Sequence, residues 1–233
     1  MRHSPPICVY CGERPGSTRD HVPPRGLFPN PRPGDLVTVP CCEQCREPQT
    51  LDDEYFIRMV AMRHDVGDHP AAAKILESVH RSFTKPAKRG FNQALVRSVR
   101  YKDLHTPTGL YLGRAATYDV ALDRLCNVIR RTTLGLFAEI FGHRLPDDYR
   151  CAVYAIDGFS TAKGEEAENL KQLVNHALAG EARVWGHKVF TSWFQRVSGR
   201  PFSTLWAHLV YSRVAFIAMT MPASDIESMQ PSK

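Results

Sequence analysis

Two Cys-x-x-Cys pairs, Cys8-Val9-Tyr10-Cys11 and Cys42-Glu43-Gln44-Cys45, stand thirty residues apart near the start of the chain. The stretch between them is rich in Pro, Gly and charge, with only short apolar runs such as Leu36-Val37-Thr38-Val39. Residues 1 to about 50 therefore cannot build a core unaided. Each pair can present two thiolates to one ion, and two pairs complete the tetrahedral sulfur shell of a structural Zn2+ site. Such binding contributes roughly 10 kcal/mol or more to folding. A zinc ion held by Cys8, Cys11, Cys42 and Cys45 is thus the expected substitute for a core. Cys41 competes with Cys42, and the spacing to Cys45 favours Cys42.

Composition favours metal over disulfide. The 233 residues are 43% apolar, enough for a packed interior, and the seven cysteines are an odd number. The start Met1-Arg2-His3-Ser4-Pro5-Pro6 lacks an apolar signal segment, and no long uncharged apolar run could cross a membrane. A reduced, cytoplasmic setting with no membrane partner is expected. The net charge of +6 is mild, but its distribution is not. Arg81, Lys85, Lys88, Arg89, Arg97, Arg100 and Lys102 fall between Ser78 and Lys102 with no acidic residue among them, a block compatible with a phosphate backbone.

Further along, Thr50 reads as a helix N-cap, with Asp52, Asp53 and Glu54 in the first turn and Leu51, Tyr55, Phe56, Met59 and Val60 on one apolar face. Helices are predicted near Pro70 to Phe83, Gly90 to Tyr101, Asp119 to Phe141 and Gly164 to Leu178. Strand is predicted over Leu110 to Val120, Cys151 to Ile156, Arg183 to Val197 and Leu205 to Met221, and the aromatics Trp185, Phe190, Trp193, Phe194, Phe202, Trp206 and Tyr211 are expected to pack as core. The fold class is α+β, divided into an N-terminal module over residues 1–63, a helical basic connector over 64–105 and an α+β region over 106–233.

Between the cysteine pairs lies Thr18-Arg19-Asp20-His21-Val22-Pro23-Pro24, which sets a hard oxygen ligand beside a proton acceptor of near-neutral pKa. Cys8-Val-Tyr-Cys11, Arg19-Asp20-His21-Val22-Pro23 and Asp35-Leu-Val-Thr-Val-Pro-Cys-Cys-Glu-Gln-Cys45 together resemble the HNH endonucleases over residues 7 to about 58. The resemblance implies a zinc-pinned ββα-metal module that hydrolyses DNA phosphodiester bonds. By it His21 is the general base that activates water, and Asp20 is a ligand of a catalytic Mg2+ or Mn2+. Two positions depart from the family pattern. Asp35 stands where Asn is usual, and Arg46, which cannot ligate a cation, follows the last cysteine. The missing ligand is expected from Asp52, Asp53 or Glu54 at the start of the helix, with Asp53 the preferred position. Arg19, Arg25 and Arg46, with Lys85, Lys88 and Arg89 of the basic block, are the expected phosphate contacts.

Each feature has a blander counterpart. Asp20-His21 can be a structural ion pair or cap, and the basic block a solvated helix face. A catalytically silent zinc module that binds nucleic acid, or one that docks a protein partner, is the alternative function.

Overall fold

Antiparallel pairing of β1 (Thr18–Val22) with β2 (Val37–Cys41) is the first long-range ordering in the chain, and its register sets Asp20 opposite Val39 and His21 opposite Thr38. The pattern of β2 explains the pairing, since Val37, Val39 and Cys41 alternate into the interior. These elements belong to a computed structural model that describes residues 6–86, 89–106, 108–156 and 164–229.

Helix α1 (Glu43–Ala61) starts directly after Cys42, about two turns before the expected cap at Thr50. The Cys42 carbonyl accepts from the Arg46 N–H at 3.0 Å, so the cysteine turn itself opens the helix. Thr50 is mid-helix, its hydroxyl donating back to the Arg46 carbonyl at 3.2 Å. Downstream, Phe56, Met59 and Val60 are buried as the apolar spacing predicts.

Helices α2 (Pro70–Ser82), α3 (Arg89–Ser98) and α4 (Leu122–Phe141) follow, with the ribbon β3 (Arg100–His105) and β4 (Tyr111–Thr117) between α3 and α4. The chain then builds β5 (Tyr149–Ala155), α5 (Glu165–Leu178), β6 (Glu181–Trp185), β7 (Phe190–Arg196), β8 (Thr204–Val210), β9 (Val214–Pro222) and α6 (Ala223–Met229). The last five strands form one antiparallel sheet in the order β5-β9-β8-β7-β6. Of the aromatics expected as core, Trp185, Phe190, Trp206 and Tyr211 are buried, while Trp193, Phe194 and Phe202 are half-buried.

The molecule is thus a mixed α+β protein made of two units. One joins Met1–Ile75 to Leu122–Lys233, and the other is Leu76–Ala121. In the first unit α4 packs against α1, β1, β2 and β5. Gly135 permits the approach to β1, because a Cβ there would sit 2.6 Å from Val22 Cγ1. In the second unit the helix expected to reach Tyr101 stops at Ser98. The residues beyond it pair instead, Tyr101 lying opposite Ala116, and the Ser98 hydroxyl oxygen accepts from the Asp119 N–H at 3.2 Å.

Candidate metal centre and the His21 surface

The two cysteine turns converge. The sulfurs of Cys8, Cys11, Cys42 and Cys45 all lie within 4.8 Å of one another, and those of Cys11 and Cys42 are 3.9 Å apart. A zinc ion with four Zn–S bonds of about 2.3 Å requires sulfur separations of about 3.8 Å, so the cluster is close to the size of a closed four-thiolate site. The group can therefore hold a metal ion such as zinc. All seven cysteines are free of disulfides.

Local hydrogen bonding shapes the first turn. Gly12 donates to the Cys8 carbonyl at 2.9 Å and Cys8 to the Arg14 carbonyl at 2.8 Å. Gly12 has φ +69°, a left-handed backbone where a Cβ would also strike the Arg144 guanidinium. Burial opposes the Cys11 thiolate, yet hydrogen bonds from the Glu13 and Arg14 backbone and from neighbouring thiols outweigh it and bring this thiol down to about 6. Cys42 and Cys45 hold the Arg14 guanidinium in its charged form, which sets a cation where thiolate charge collects. Cys41 stands outside the cluster. Its sulfur contacts the Cys42 carbonyl and Gln49 Oε1, and burial pushes its thiol up to about 12, so Cys42 is the cluster member and Cys41 a neutral packing residue.

Asp20 and His21 are neighbours in sequence, and the pleat of β1 sends them to opposite faces. Asp20 shares the face of Val22, toward α4, and its Oδ2 accepts from the Tyr10 hydroxyl at 2.6 Å with Arg131 Nε 3.1 Å away. The same guanidinium pairs with Asp53 and donates to the Gln49 carbonyl at 3.4 Å. With a side chain only 5% exposed, Arg131 is a buried cation clamped by two carboxylates. Burial pushes the Asp53 carboxyl up to about 6, with Arg131 pulling the other way.

Asp20 and Asp53 are thus brought together, as the sequence predicts for two ligands, but around a guanidinium. A divalent cation held by this pair would meet the positive charge of Arg131, and the donor set does not fit one. Among the described residues, the four cysteines are the one group of three or more ligand-type side chains within binding reach.

His21 lies on the other face, half-buried, opposite Thr38. Burial lowers its pKa below the ordinary 6.5, and Arg25, Arg32 and Arg46 lower it further against the upward pull of Asp20. Arg25, Arg32 and Arg46 are exposed. Arg19 is exposed too, donating to the Thr38 hydroxyl at 3.0 Å and its carbonyl at 3.1 Å, and so braces the hairpin. The result is a neutral imidazole within a field of guanidiniums. Beside Arg32 opens a cleft of about 630 Å³, walled by Phe28, Pro29, Pro33, Pro70 and Val189, with no acidic side chain among the described residues that line it.

Lys85 and Arg89 are exposed and belong to the Leu76–Ala121 unit, whereas His21 belongs to the other. Lys88 lies outside the described residues. Sequence reasoning missed Tyr10, Arg14, Arg32 and Arg131. Arg131 left a trace, since it stands in the i, i+3, i+4 line of Val128 and Gly135 on an otherwise apolar stripe. A cation at such a position requires buried carboxylates as partners.

Among the described residues no helix is long and apolar enough to cross a membrane. Comparison with family models, with curated proteins and with solved structures returns no match.

Proposed function

We propose that the cysteine-pinned hairpin and α1 form a zinc-stabilised ββα module of the HNH type, which hydrolyses phosphodiester bonds of DNA with His21 as general base. The observation that carries this is the electrostatic setting of His21. Burial first, and then the guanidiniums of Arg25, Arg32 and Arg46, lower the pKa of its imidazole, which favours the proton-accepting form beside cations that a phosphodiester would take as partners.

In this reading His21 takes the proton of a water molecule as the oxygen attacks phosphorus, one P–O ester bond breaks, and the leaving sugar oxygen takes a proton from solvent. Charge on the phosphate oxygens is met by Arg25, Arg32 and Arg46, cations already in place before substrate arrives. Arg46 stands where a metal-binding residue is usual in the resembling family, and here it supplies positive charge directly. The Mg2+ or Mn2+ expected from the sequence has no two-carboxylate cradle, because Arg131 occupies it, and no step is assigned to it. Zinc has a structural part, fixing the relative positions of β1 and the start of α1.

The test is nicking of supercoiled plasmid by the parent and by His21→Ala, with and without added divalent cation. Loss of a general base lowers the rate by about 100-fold or more, and the variant should retain its zinc and its melting temperature. Equal nicking by both proteins would remove His21 from the mechanism. The Asp20–Arg131–Asp53 clamp favours a second reading, a silent zinc module that only binds nucleic acid. Salt-sensitive binding by a parent protein that never nicks would establish it.

A further inference from the structure

We infer that the β3–β4 ribbon is an arm that grips duplex nucleic acid by entering a groove. The inference deepens the proposed action on DNA by naming the element that recognises the double helix, and it rests on that reading for the partner's identity.

The first observation is exposure. Every residue of β3 is exposed, and Tyr101, Leu104, Leu110 and Tyr111 are 65%, 46%, 67% and 57% exposed. A two-stranded ribbon is marginal by itself in water, and apolar side chains gathered on one mark a contact surface. The second observation is charge. The Leu76–Ala121 unit holds eight Lys and Arg against three Asp and Glu, a net +5 of the chain's +6. Arg100, Lys102 and Arg114 lie on the ribbon itself.

The distribution over the two faces selects the occupant. Arg100, Lys102 and Leu104 share one face, while Tyr101, Asp103, Tyr111 and Arg114 share the other, where Arg114 pairs with Asp103 at 3.5 Å and lies over the Tyr101 ring at 5.7 Å, and the rings of His105 and Tyr111 are 5.5 Å apart. A bilayer surface or a second sheet would need the apolar groups on a single face. A second copy would also bring one +5 unit against another, which is repulsive at low salt. A groove has two charged walls and a floor of base edges, and the major groove of a duplex, about 12 Å wide, admits a two-stranded ribbon. Arg100 and Lys102 then meet phosphates on one wall, Arg114 turns from its exposed pair with Asp103 to a phosphate on the other, and the tyrosines and leucines reach sugars and base edges.

The experiment uses the full chain, a labelled duplex of mixed sequence and fluorescence anisotropy across a salt series. The triple variant Arg100→Ala/Lys102→Ala/Arg114→Ala changes exposed side chains only. It should bind about tenfold or more weakly near 0.1 M salt, with a log–log salt slope shallower by about two to three. Leu104→Ser/Tyr111→Ser should weaken binding with little change in slope. Parental affinity and slope in the triple variant would overturn the inference. So would a dimer in sedimentation that Leu104→Ser/Tyr111→Ser dissolves with duplex affinity intact, or binding to anionic phosphatidylserine vesicles that the ribbon variants lose while duplex binding stays. Hydrolysis of bis(p-nitrophenyl) phosphate separates this from the catalytic reading. The ribbon variants should turn it over at the parental rate, and His21→Ala should bind duplex as tightly as the parent. Turnover that ignores His21 removes the general base but not the arm, and ribbon-independent binding with His21-dependent turnover removes the arm but not the base.

Discussion

Arg131 decides more about the N-terminal module than any residue between the cysteines. Its guanidinium is the common partner of Asp20 and Asp53, and Tyr10 completes the set from within the first cysteine pair. Removing the cation would leave two desolvated carboxylates facing each other, which raises the cost far above that of losing one surface ion pair. Arg131→Met should therefore lower the unfolding free energy in urea by about 3–5 kcal/mol, and adding Asp20→Asn and Asp53→Asn to it should restore much of the loss. A single variant as stable as the parent would mean that the clamp does not hold the hairpin. None of this was legible locally. The local sequence places Asp20 beside His21, but strand alternation parts them, and the group that claims Asp20 lies more than a hundred residues downstream.

At the level of elements, the cysteine cluster is the feature that sequence spacing predicts best, because the ligand geometry of a Cys-x-x-Cys turn is local. The hairpin ends where Cys41 closes β2, and α1 begins where Cys42 accepts its first helical hydrogen bond, so a metal at the cluster fixes strand and helix at once. Cys42→Ser removes one of the four thiolates able to hold a metal, and should abolish zinc binding and lower the melting temperature steeply, as expected where an ion at the cluster would stand in for a core. Cys41→Ser, one position away, should keep one zinc per chain by elemental analysis and lose only modest stability. Retention of zinc in both variants would mean that Cys41 substitutes for its neighbour. Helix lengths elsewhere follow apolar periodicity, as in α2 and α4. The exceptions are instructive. Over residues 90–101 helical spacing continues past Ser98, but Arg100 and Tyr101 gain partners in β4 that no local pattern encodes. Thr50 has the chemistry of a cap, but a helix already opened by the cysteine turn passes through it.

For the whole molecule, the joining of Met1–Ile75 to Leu122–Lys233 places α4 between the cysteine-pinned module and the five-stranded sheet. The near-continuous burial of β8 and β9 fits that position, and so does His208, which the fold keeps without charge. Its Nε2 lies 2.9 Å from the Thr133 hydroxyl of α4, its ring packs against Phe190 and Trp206, and burial pushes its pKa down to about 3. Because the unfolded chain binds this proton near pH 6.5 and the folded chain does not, His208 favours the unfolded state progressively as pH falls from about 6.5 toward 3. The slope contributed by one such group approaches about 1.4 kcal/mol per pH unit. His208→Phe removes the titrating group while leaving the Thr133 hydroxyl its bond to the Ile129 carbonyl, 2.9 Å away. Urea unfolding of the parent should show stability declining below pH 6.5, and the variant should show a shallower decline over the same interval. Identical pH profiles for the two proteins would mean that His208 is protonated inside the fold, and that α4 meets the sheet through a charged contact instead of a neutral one.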